Sequence, residues 1–406
     1  MLKTSKLISF LEYALCTMLI LSCRTVFVHN VNSNITDLIN VLIIGILTVL
    51  ILIRSNLKLN IKRIAYILLL MSYFFIFIIF DVRSHYISFV KIFLVILPLF
   101  LLYFSLLGKT KVKDFLKKYA NIVYILAICS LFFYLIGSCL HFINTNMSLI
   151  MEWGVIKKIN GYYFLHFDTQ STVFFGKTIL RNTGIFVEGP QYALQLICAY
   201  VFTLFDNKKI INRLSVIYFV TLCSTLSITG IVIFIVVTFY KYLKKNNNKI
   251  KVIFIPVILI VCIFVTFNLI IDKSETNSYK IREDDMRVAM ISLKNNPLFG
   301  DGYMNNDIAV SNMSDFRSYN TGLSSAFIIV LIHGGIYLSI IYLAPMIVIT
   351  LKSHKYKNYF VFVIGILQIL LYLTTGFQYT NFMMMLIAFD LDYILKIENG
   401  EKNEKI

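Results

Sequence analysis

Two arginine-bearing stretches hold the side chains best suited to chemistry. The first reads Arg181-Asn182-Thr183-Gly184-Ile185-Phe186-Val187-Glu188-Gly189-Pro190-Gln191-Tyr192-Ala193. A guanidinium matches two phosphate oxygens at once and stays charged at any relevant pH. Glu188, beside it, can orient that guanidinium or take a proton from a hydroxyl. Each also has an ordinary use, since an interfacial Arg snorkels and a carboxylate at a helix start caps it. The second stretch runs from Tyr279 through Arg282, Glu283, Asp284, Asp285 and Arg287 to Asn296-Pro297-Leu298-Phe299-Gly300-Asp301-Gly302-Tyr303. Met286, Ala289, Met290 and Leu293 recur at helical spacing and predict a helix over 282–294. Arg282 and Arg287 diverge by about 140° on it, so they do not share one role. Pro297 ends the helix, and Gly300 and Gly302 give a tight turn. As a plain surface helix, this stretch would pair its charges with one another.

Polar residues inside apolar runs carry a second signal, because hydrocarbon penalises them. These are Gln195, the Ser224–Thr229 cluster with Ser227 and Thr229, Ser324, Ser325, His333 and Gln368. His333 reads either as a catalytic base or as a packing residue beside Gly334 and Gly335, where helices approach closely. The sequence has no His-Glu-x-x-His motif, no phosphate-binding Gly-rich loop with Lys, and no clustered metal ligands. Its seven cysteines lie in or beside apolar segments without a Cys-x-x-Cys pair, which argues against a metal site or a disulfide framework. Transfer from an activated diphosphate donor can run without a metal, with Arg then neutralising the leaving group; no cofactor is expected.

The elements that must position these residues are membrane helices. Of 406 residues, 58% are hydrophobic and only 15% charged, too few to cover a water-soluble fold of this length. The net charge of +17 does not indicate nucleic acid as a partner, because the Lys and Arg fall between apolar runs. Twelve candidate spans follow: 8–28, 35–53, 63–80, 87–107, 119–140, 187–205, 213–225, 228–240, 252–271, 323–350, 359–375 and 382–397. The first resembles a signal peptide without a good cleavage site and reads as an uncleaved span. The seventh and eighth are short and meet at the polar 224–230 turn, as broken helices do where a turn lines a cavity. The fold expected is an all-α, polytopic integral membrane protein, one transmembrane domain over residues 1–406. Long loops at 141–186 and 272–322 face away from the cytoplasm and partly fold over the membrane mouth.

Four motifs, in order, resemble the O-antigen ligase and Wzy-type polysaccharide polymerase superfamily. Arg181-x-x-Gly184-x-Phe186-x-Glu188 resembles its Arg–Gly–Phe–Glu–Pro segment, with Gly189 intruding before Pro190. Thr225-Leu226-Ser227-Ile228-Thr229-Gly230 resembles its Leu-Ser-Arg-Thr-Gly turn, with Ile228 where the Arg would stand. Arg282, fifteen residues before Pro297 of Asn-Pro-Leu-Phe-Gly-Asp-Gly-Tyr, looks like the family's Arg helix and the turn that follows. Ser324-Ser325-Ala326-Phe327 leads to Gly335; Ser324 occupies the position of a family His, which His333 does not match. The motifs cover roughly residues 180–350, and the topology extends the likeness to the whole chain.

The resemblance implies a GT-C-like glycosyltransferase bundle of about 12 helices in the bacterial plasma membrane. It implies an inverting, metal-independent transfer of a glycan from an undecaprenyl-diphosphate-linked oligosaccharide to a sugar hydroxyl. The missing His favours the polymerase side, making capsule, exopolysaccharide or O-antigen, over a ligase. A lipid-linked oligosaccharide flippase is the alternative from another class, although no repeat relates the two halves. The implied catalytic residues are Arg181, Glu188 and Arg282. Arg287, Tyr303, Ser324, Ser227, Thr229 and His333 are implied substrate contacts. Besides the bilayer and the lipid-linked substrate, a chain-length regulator and a flippase of the same pathway are the implied partners.

Charge placement gives the first test. With the N-terminus inside, 25 of the 38 Lys and Arg fall on cytoplasmic segments, which puts both termini inside and Arg181 and Arg282 on the other face. Single cysteines at Asn160 and Asn305, in a cysteine-free background, should react with an impermeant maleimide in cells whose wall is permeable to it. Protection of both sites would overturn the topology.

Overall fold

In this computed structural model the described residues are 2–30, 33–55, 61–81, 85–107, 109–153, 155–174, 177–204, 212–245, 277–317 and 321–398. The chain is a mainly helical membrane protein. Helices Ile61–Phe80, Tyr86–Leu106, Lys111–Cys139 and Ala326–Lys355 are long and apolar enough to cross a bilayer. At 1.5 Å per residue, even the shortest of the four reaches about 30 Å, the thickness of the hydrocarbon layer. Asp37–Ile53, Arg213–Ser224 and Tyr359–Thr374 are shorter apolar helices. Helices also stand at Leu2–Leu21, Gly189–Leu204, Ile228–Lys245 and Asn381–Glu398, so eleven of the twelve expected spans coincide with helix. The ninth, 252–271, lies outside the described residues.

Local chemistry sets the helix ends. Asn212 caps Arg213–Ser224 through a capping box with Ser215, Ser325 accepts from the Ile328 amide, and Asn358 accepts from the Val361 amide. Within Tyr86–Leu106, a π-helical stretch at Val90–Ile96 precedes Pro98, whose missing N–H cannot continue an α-helical ladder.

The 141–186 loop differs from an all-α chain. It carries β1 (Met147–Trp153), β2 (Val155–Tyr162) and β3 (His166–Phe167) as an antiparallel sheet, and β4 (Ser171–Phe174) paired with β5 (Lys177–Leu180). Met147, Leu149 and Met151 alternate onto one face and pack with Ile159, Phe167, Val26 and Val187. These strands are too short, and their alternation too brief, to stand out beside twelve apolar runs.

The basic end of the bundle is fixed by buried charges. Lys118 pairs with Glu12, which also accepts from the Tyr103 hydroxyl at 2.9 Å. Lys396 pairs with Asp392 and donates to the carbonyls of Phe104 and Leu107 at 3.1 and 3.0 Å. Arg63 donates to the Ser105 carbonyl at 2.6 Å.

At the opposite, loop end, helix Ala326–Lys355 breaks at Gly335, whose φ of 56° and ψ of −152° lie outside helical space. The break releases backbone groups that the Pro297–Asp301 loop then satisfies. Ile336 donates to the Pro297 carbonyl and Tyr337 to the Leu298 carbonyl, both at 3.0 Å, while the Asp301 amide donates to the Ile332 carbonyl at 2.7 Å. A Cβ on Gly335 would stand 2.5 Å from the Leu298 carbonyl oxygen. The Gly334-Gly335 pair therefore serves a close approach of loop to helix. Gly335→Ala should cost about 1–3 kcal/mol in backbone strain alone, with the clash added. Gly45→Ala, with nothing within 4 Å of the new Cβ, should be neutral or mildly stabilising. Thermal unfolding of both variants in detergent checks the contrast.

Candidate active site

The Arg181 segment is built against the 224–227 turn. Asn182 donates from its backbone to the Ser224 carbonyl and from its side chain to the Ser224 hydroxyl, both at 3.0 Å. Arg181 Nε donates to the Thr225 carbonyl at 2.8 Å. A turn with no Arg of its own thus receives one from the preceding segment. Gly189 is required here, because a Cβ would stand 2.6 Å from the guanidinium and 2.7 Å from the Thr225 carbonyl oxygen. Burial pulls the Arg181 pKa below its ordinary value, and the charge of Glu188 opposes that shift. Ser227 is buried, its amide donating to Thr225 Oγ1 at 3.2 Å, and Thr229 is half-buried in the first turn of the next helix.

A second arginine joins this group from the first span. Residues 24–26 run antiparallel to 185–187: Val26 donates to the Ile185 carbonyl at 2.9 Å and Val187 to the Arg24 carbonyl at 3.2 Å. That pairing brings Arg24 beside the Arg181 segment, and the charge of Glu188 acts on both guanidiniums. Arg24 takes a left-handed φ of 53°, and its Nη atoms lie 3.3 Å from where a Cβ on Gly376 would be. Gln191 donates to the Gly376 carbonyl at 2.9 Å and reaches Glu188 at 3.5 Å.

Arg24 lines a cavity of 470 Å³ with His85, Asn306, His333, Gln378 and Tyr379, a volume in the range of small-ligand sites. His333 Nε2 lies 2.9 Å from Asn306 Oδ1, and Nδ1 lies 3.1 Å from the Tyr379 hydroxyl. An amide oxygen only accepts, so Nε2 carries a proton, and a neutral ring receives the tyrosine proton on Nδ1. His333 thus faces the cavity with both nitrogens engaged, and it orients Asn306 and Tyr379. Tyr303 is fully buried behind this wall, its ring centroid 4.6 Å from that of Tyr379.

Helix Asn277–Asn295 stands apart from the cavity lining. Its helical nature follows the sequence, but the inward face is rotated from the one expected. Asp284, Asp285, Val288, Ala289 and Ser292 are buried, whereas Met286 and Met290 are exposed. Ion pairing decides the rotation. Buried Arg317 donates to Asp285 Oδ1 at 2.8 Å, to the Ile281 carbonyl at 3.2 Å and to the Gly322 carbonyl at 2.9 Å. Ser324 is tied in through its amide, 2.9 Å from Asp285 Oδ2. Arg287 holds Asp284 at 2.6 Å and the Asn312 carbonyl at 2.6 Å, so it braces the loop. Arg282 is exposed on the same helix.

Of the residues singled out from sequence, Arg181 lies within the electrostatic reach of Glu188 and meets the Thr225–Ser227 turn, Thr229 follows on the next helix, and Tyr303 meets His333 through Tyr379. Arg282 and Arg287 sit on helix Asn277–Asn295, outside the cavity lining, and the Ser324 amide is tied to that helix through Asp285. Arg24, His85, Asn306, Tyr379 and Arg317 escaped sequence reasoning. Arg24 did carry a signal, being a charge inside an apolar run. Comparison of the chain with protein-family models, curated proteins and solved structures finds no match.

The Asp284 cluster should respond to pH. Burial works against ionisation of Asp284, but hydrogen bonds from Ser314 and Arg287 outweigh it and hold the carboxyl below its ordinary value of 3.8. A depressed folded-state pKa stabilises fully above the unfolded value and is lost as pH falls through the folded one. Hydrogen exchange at the Ser314 amide, which donates to Asp284 Oδ2 at 3.2 Å, should lose protection below about pH 4. Asp284→Asn should remove that pH dependence.

Proposed function

We propose that this chain is a polysaccharide polymerase of the bacterial plasma membrane. It transfers a glycan from one undecaprenyl-diphosphate-linked repeat unit to a sugar hydroxyl of another, on the face away from the cytoplasm. Twelve spans, a GT-C-like bundle and cytoplasmic termini belong to the same reading. The observation that carries it is the pairwise meeting of the four resembling motifs. Arg181 donates to the Thr225 carbonyl of the second motif, and the Pro297-Leu298 carbonyls of the third accept from amides just beyond Gly335 of the fourth. The Thr375–Thr380 loop joins the two pairs, through Gly376 to Gln191 and through Tyr379 to His333.

In this reading the diphosphate enters from the bilayer and is held at Arg24 and Arg181. The acceptor oxygen attacks the anomeric carbon, the bond to the diphosphate oxygen breaks, and configuration inverts. Undecaprenyl diphosphate leaves with the bond electrons, and the hydroxyl proton passes to Glu188, our nominee for the base. Two fixed guanidiniums in a partly desolvated site stabilise the leaving charge without reorganising. Lys, a point charge on a flexible stem, copies this poorly. Arg282, exposed on helix Asn277–Asn295, meets the diphosphate on entry, and Arg287 is secondary.

Initial polymerisation rates on defined lipid-linked repeats test the assignment, with expression and insertion checked alongside. Arg24→Lys and Arg181→Lys should each lose about 2–4 kcal/mol of transition-state stabilisation, roughly 10²–10³ in rate. Arg282→Lys should raise KM more than it lowers kcat, and Arg287→Lys should be milder. Retention of more than a third of the wild-type rate by both Arg24→Lys and Arg181→Lys would exclude the clamp. Movement of unit-length substrate across vesicles without chain growth would make the protein a flippase.

A further inference from the structure

The turn between β2 and β3 strains its backbone and exposes two aromatic rings. Tyr163 and Phe164 take left-handed φ values of 49° and 60°, and Leu165 closes the turn by donating to the Tyr162 carbonyl at 2.9 Å. Left-handed backbone at both central positions is the pattern of a type I′ turn, where Asn and Gly are the favoured residues. Here both positions carry large rings, which remain 57% and 58% exposed. Residues 159–167 contain no Asp, Glu, Lys or Arg. We propose that this turn is an interfacial membrane anchor: Tyr163 and Phe164 enter the bilayer–water interface at the Cys139 end of helix Lys111–Cys139. This role needs only that the helix spans the membrane, and it stands without the polymerase reading.

Ring packing sets the depth of the turn. The Tyr162 ring stacks on Phe133 at 5.8 Å, and the Tyr163 ring lies 5.7 Å from the same ring. Phe133 stands six residues before Cys139, more than one turn inside the end of the span. The β2–β3 turn therefore folds back beside the last apolar turns of the helix instead of rising away from them. Gly137 permits the approach, since a Cβ there would stand 2.6 Å from the Tyr162 ring. Phe132, Leu135, Leu140 and Phe142 are exposed at the same end of the span, so the two rings extend a surface that lipid already covers. Amphipathic rings collect at this depth, with the apolar body toward the acyl chains and the hydroxyl toward the headgroups. The turn amides are satisfied from within: Tyr163 donates to Asn146 Oδ1 at 2.9 Å and Phe164 to the Met147 sulfur at 3.2 Å. Entry into the interface strands neither of them.

The anchor is coupled to the rest of the loop end. The Phe164 ring lies 6.2 Å from Phe27, just past helix Leu2–Leu21, so the turn bridges the ends of two helices. One strand further on, the Phe167 amide donates to the Gly184 carbonyl at 2.8 Å, and the Thr183 hydroxyl donates to the Phe167 carbonyl at 2.7 Å. An anchored hairpin thereby ties the depth of the Arg181 segment to the surface of the bilayer.

The test uses full-length protein in nanodiscs. Trp153→Phe removes the only native tryptophan, and Tyr163→Trp or Phe164→Trp then supplies a single reporter. The probe is phospholipid brominated high on its acyl chains, with acrylamide as the aqueous quencher. Each reporter should lose at least about half of its emission on exchange into brominated lipid and respond poorly to acrylamide, as an interfacial ring requires. Protection of the Phe167 amide from hydrogen exchange verifies the hairpin in each variant. Emission unchanged by brominated lipid at both positions overturns the proposal. Shielding from acrylamide without quenching by bromine places the rings against protein, a second copy or another partner, and likewise overturns it. Quenching by brominated lipid in a protein that makes no polymer would leave the anchor standing and remove the polymerase reading.

Discussion

Irregular backbone inside an apolar bundle survives only where every polar group finds a partner, and that constraint shapes the loop end of this protein. The Thr375–Thr380 loop shows it most clearly. Its Thr375 carbonyl accepts from the Ala326 amide at 3.1 Å, its Gly376 carbonyl from Gln191 at 2.9 Å and its Gln378 carbonyl from the Tyr342 hydroxyl at 2.8 Å. Each donor comes from a different part of the chain. Satisfying one short loop therefore fixes helix Gly189–Leu204 and both halves of the broken helix relative to each other. Each orphaned carbonyl would cost on the order of 1–3 kcal/mol. The loop is consequently a joint with little freedom, and the arginine cavity is built on it.

The break at Gly335 obeys the same constraint and adds a second consequence. A straight helix would satisfy its own backbone and offer nothing to a loop. By breaking, it lends two amides and a carbonyl to residues 297–301, which are held by them. The segment from Asn296 to Tyr303 can thus carry Asp301 and Tyr303 at fixed positions without secondary structure of its own.

How much of this was legible in the sequence depends on the range of the signal. Helices were readable because an apolar run of twenty residues is a local property, as at Ile61–Phe80. Arg181, Glu188 and the 225–230 turn were readable as a group because their types and order are distinctive. Arg24 was missed since its place is set by an antiparallel pairing with residues more than 150 positions away, which periodicity does not report. The inward face of Asn277–Asn295 was misjudged for a related reason. Hydrophobic periodicity favours methionines over aspartates, and burial of Asp285 becomes tolerable only with distant partners, Arg317 and the Ser324 amide. Strands β1–β5 hid because their hairpins are built of mixed polar and apolar residues whose alternation is weak beside the apolar runs of the spans.

Buried Arg317 and half-buried Arg24 are held in different ways. Arg317 is 1% exposed and donates to a carboxylate and two backbone carbonyls, so burial and satisfaction close on each other. Nothing about it needs a ligand, and it does not line the arginine cavity. Arg24 is held by other means. Its backbone sits in a left-handed conformation that costs of order 1–3 kcal/mol for a non-glycine residue, fixed by pairing with residues 185–187. A glycine opposite, Gly376, leaves its guanidinium room, and the guanidinium borders open volume of ligand size. Strain and a cavity coincide at one cation that the charge of Glu188 reaches. Under the proposed polymerase reading, that arrangement offers an incoming anion positive charge next to space, with its position set by the fold instead of by the ligand.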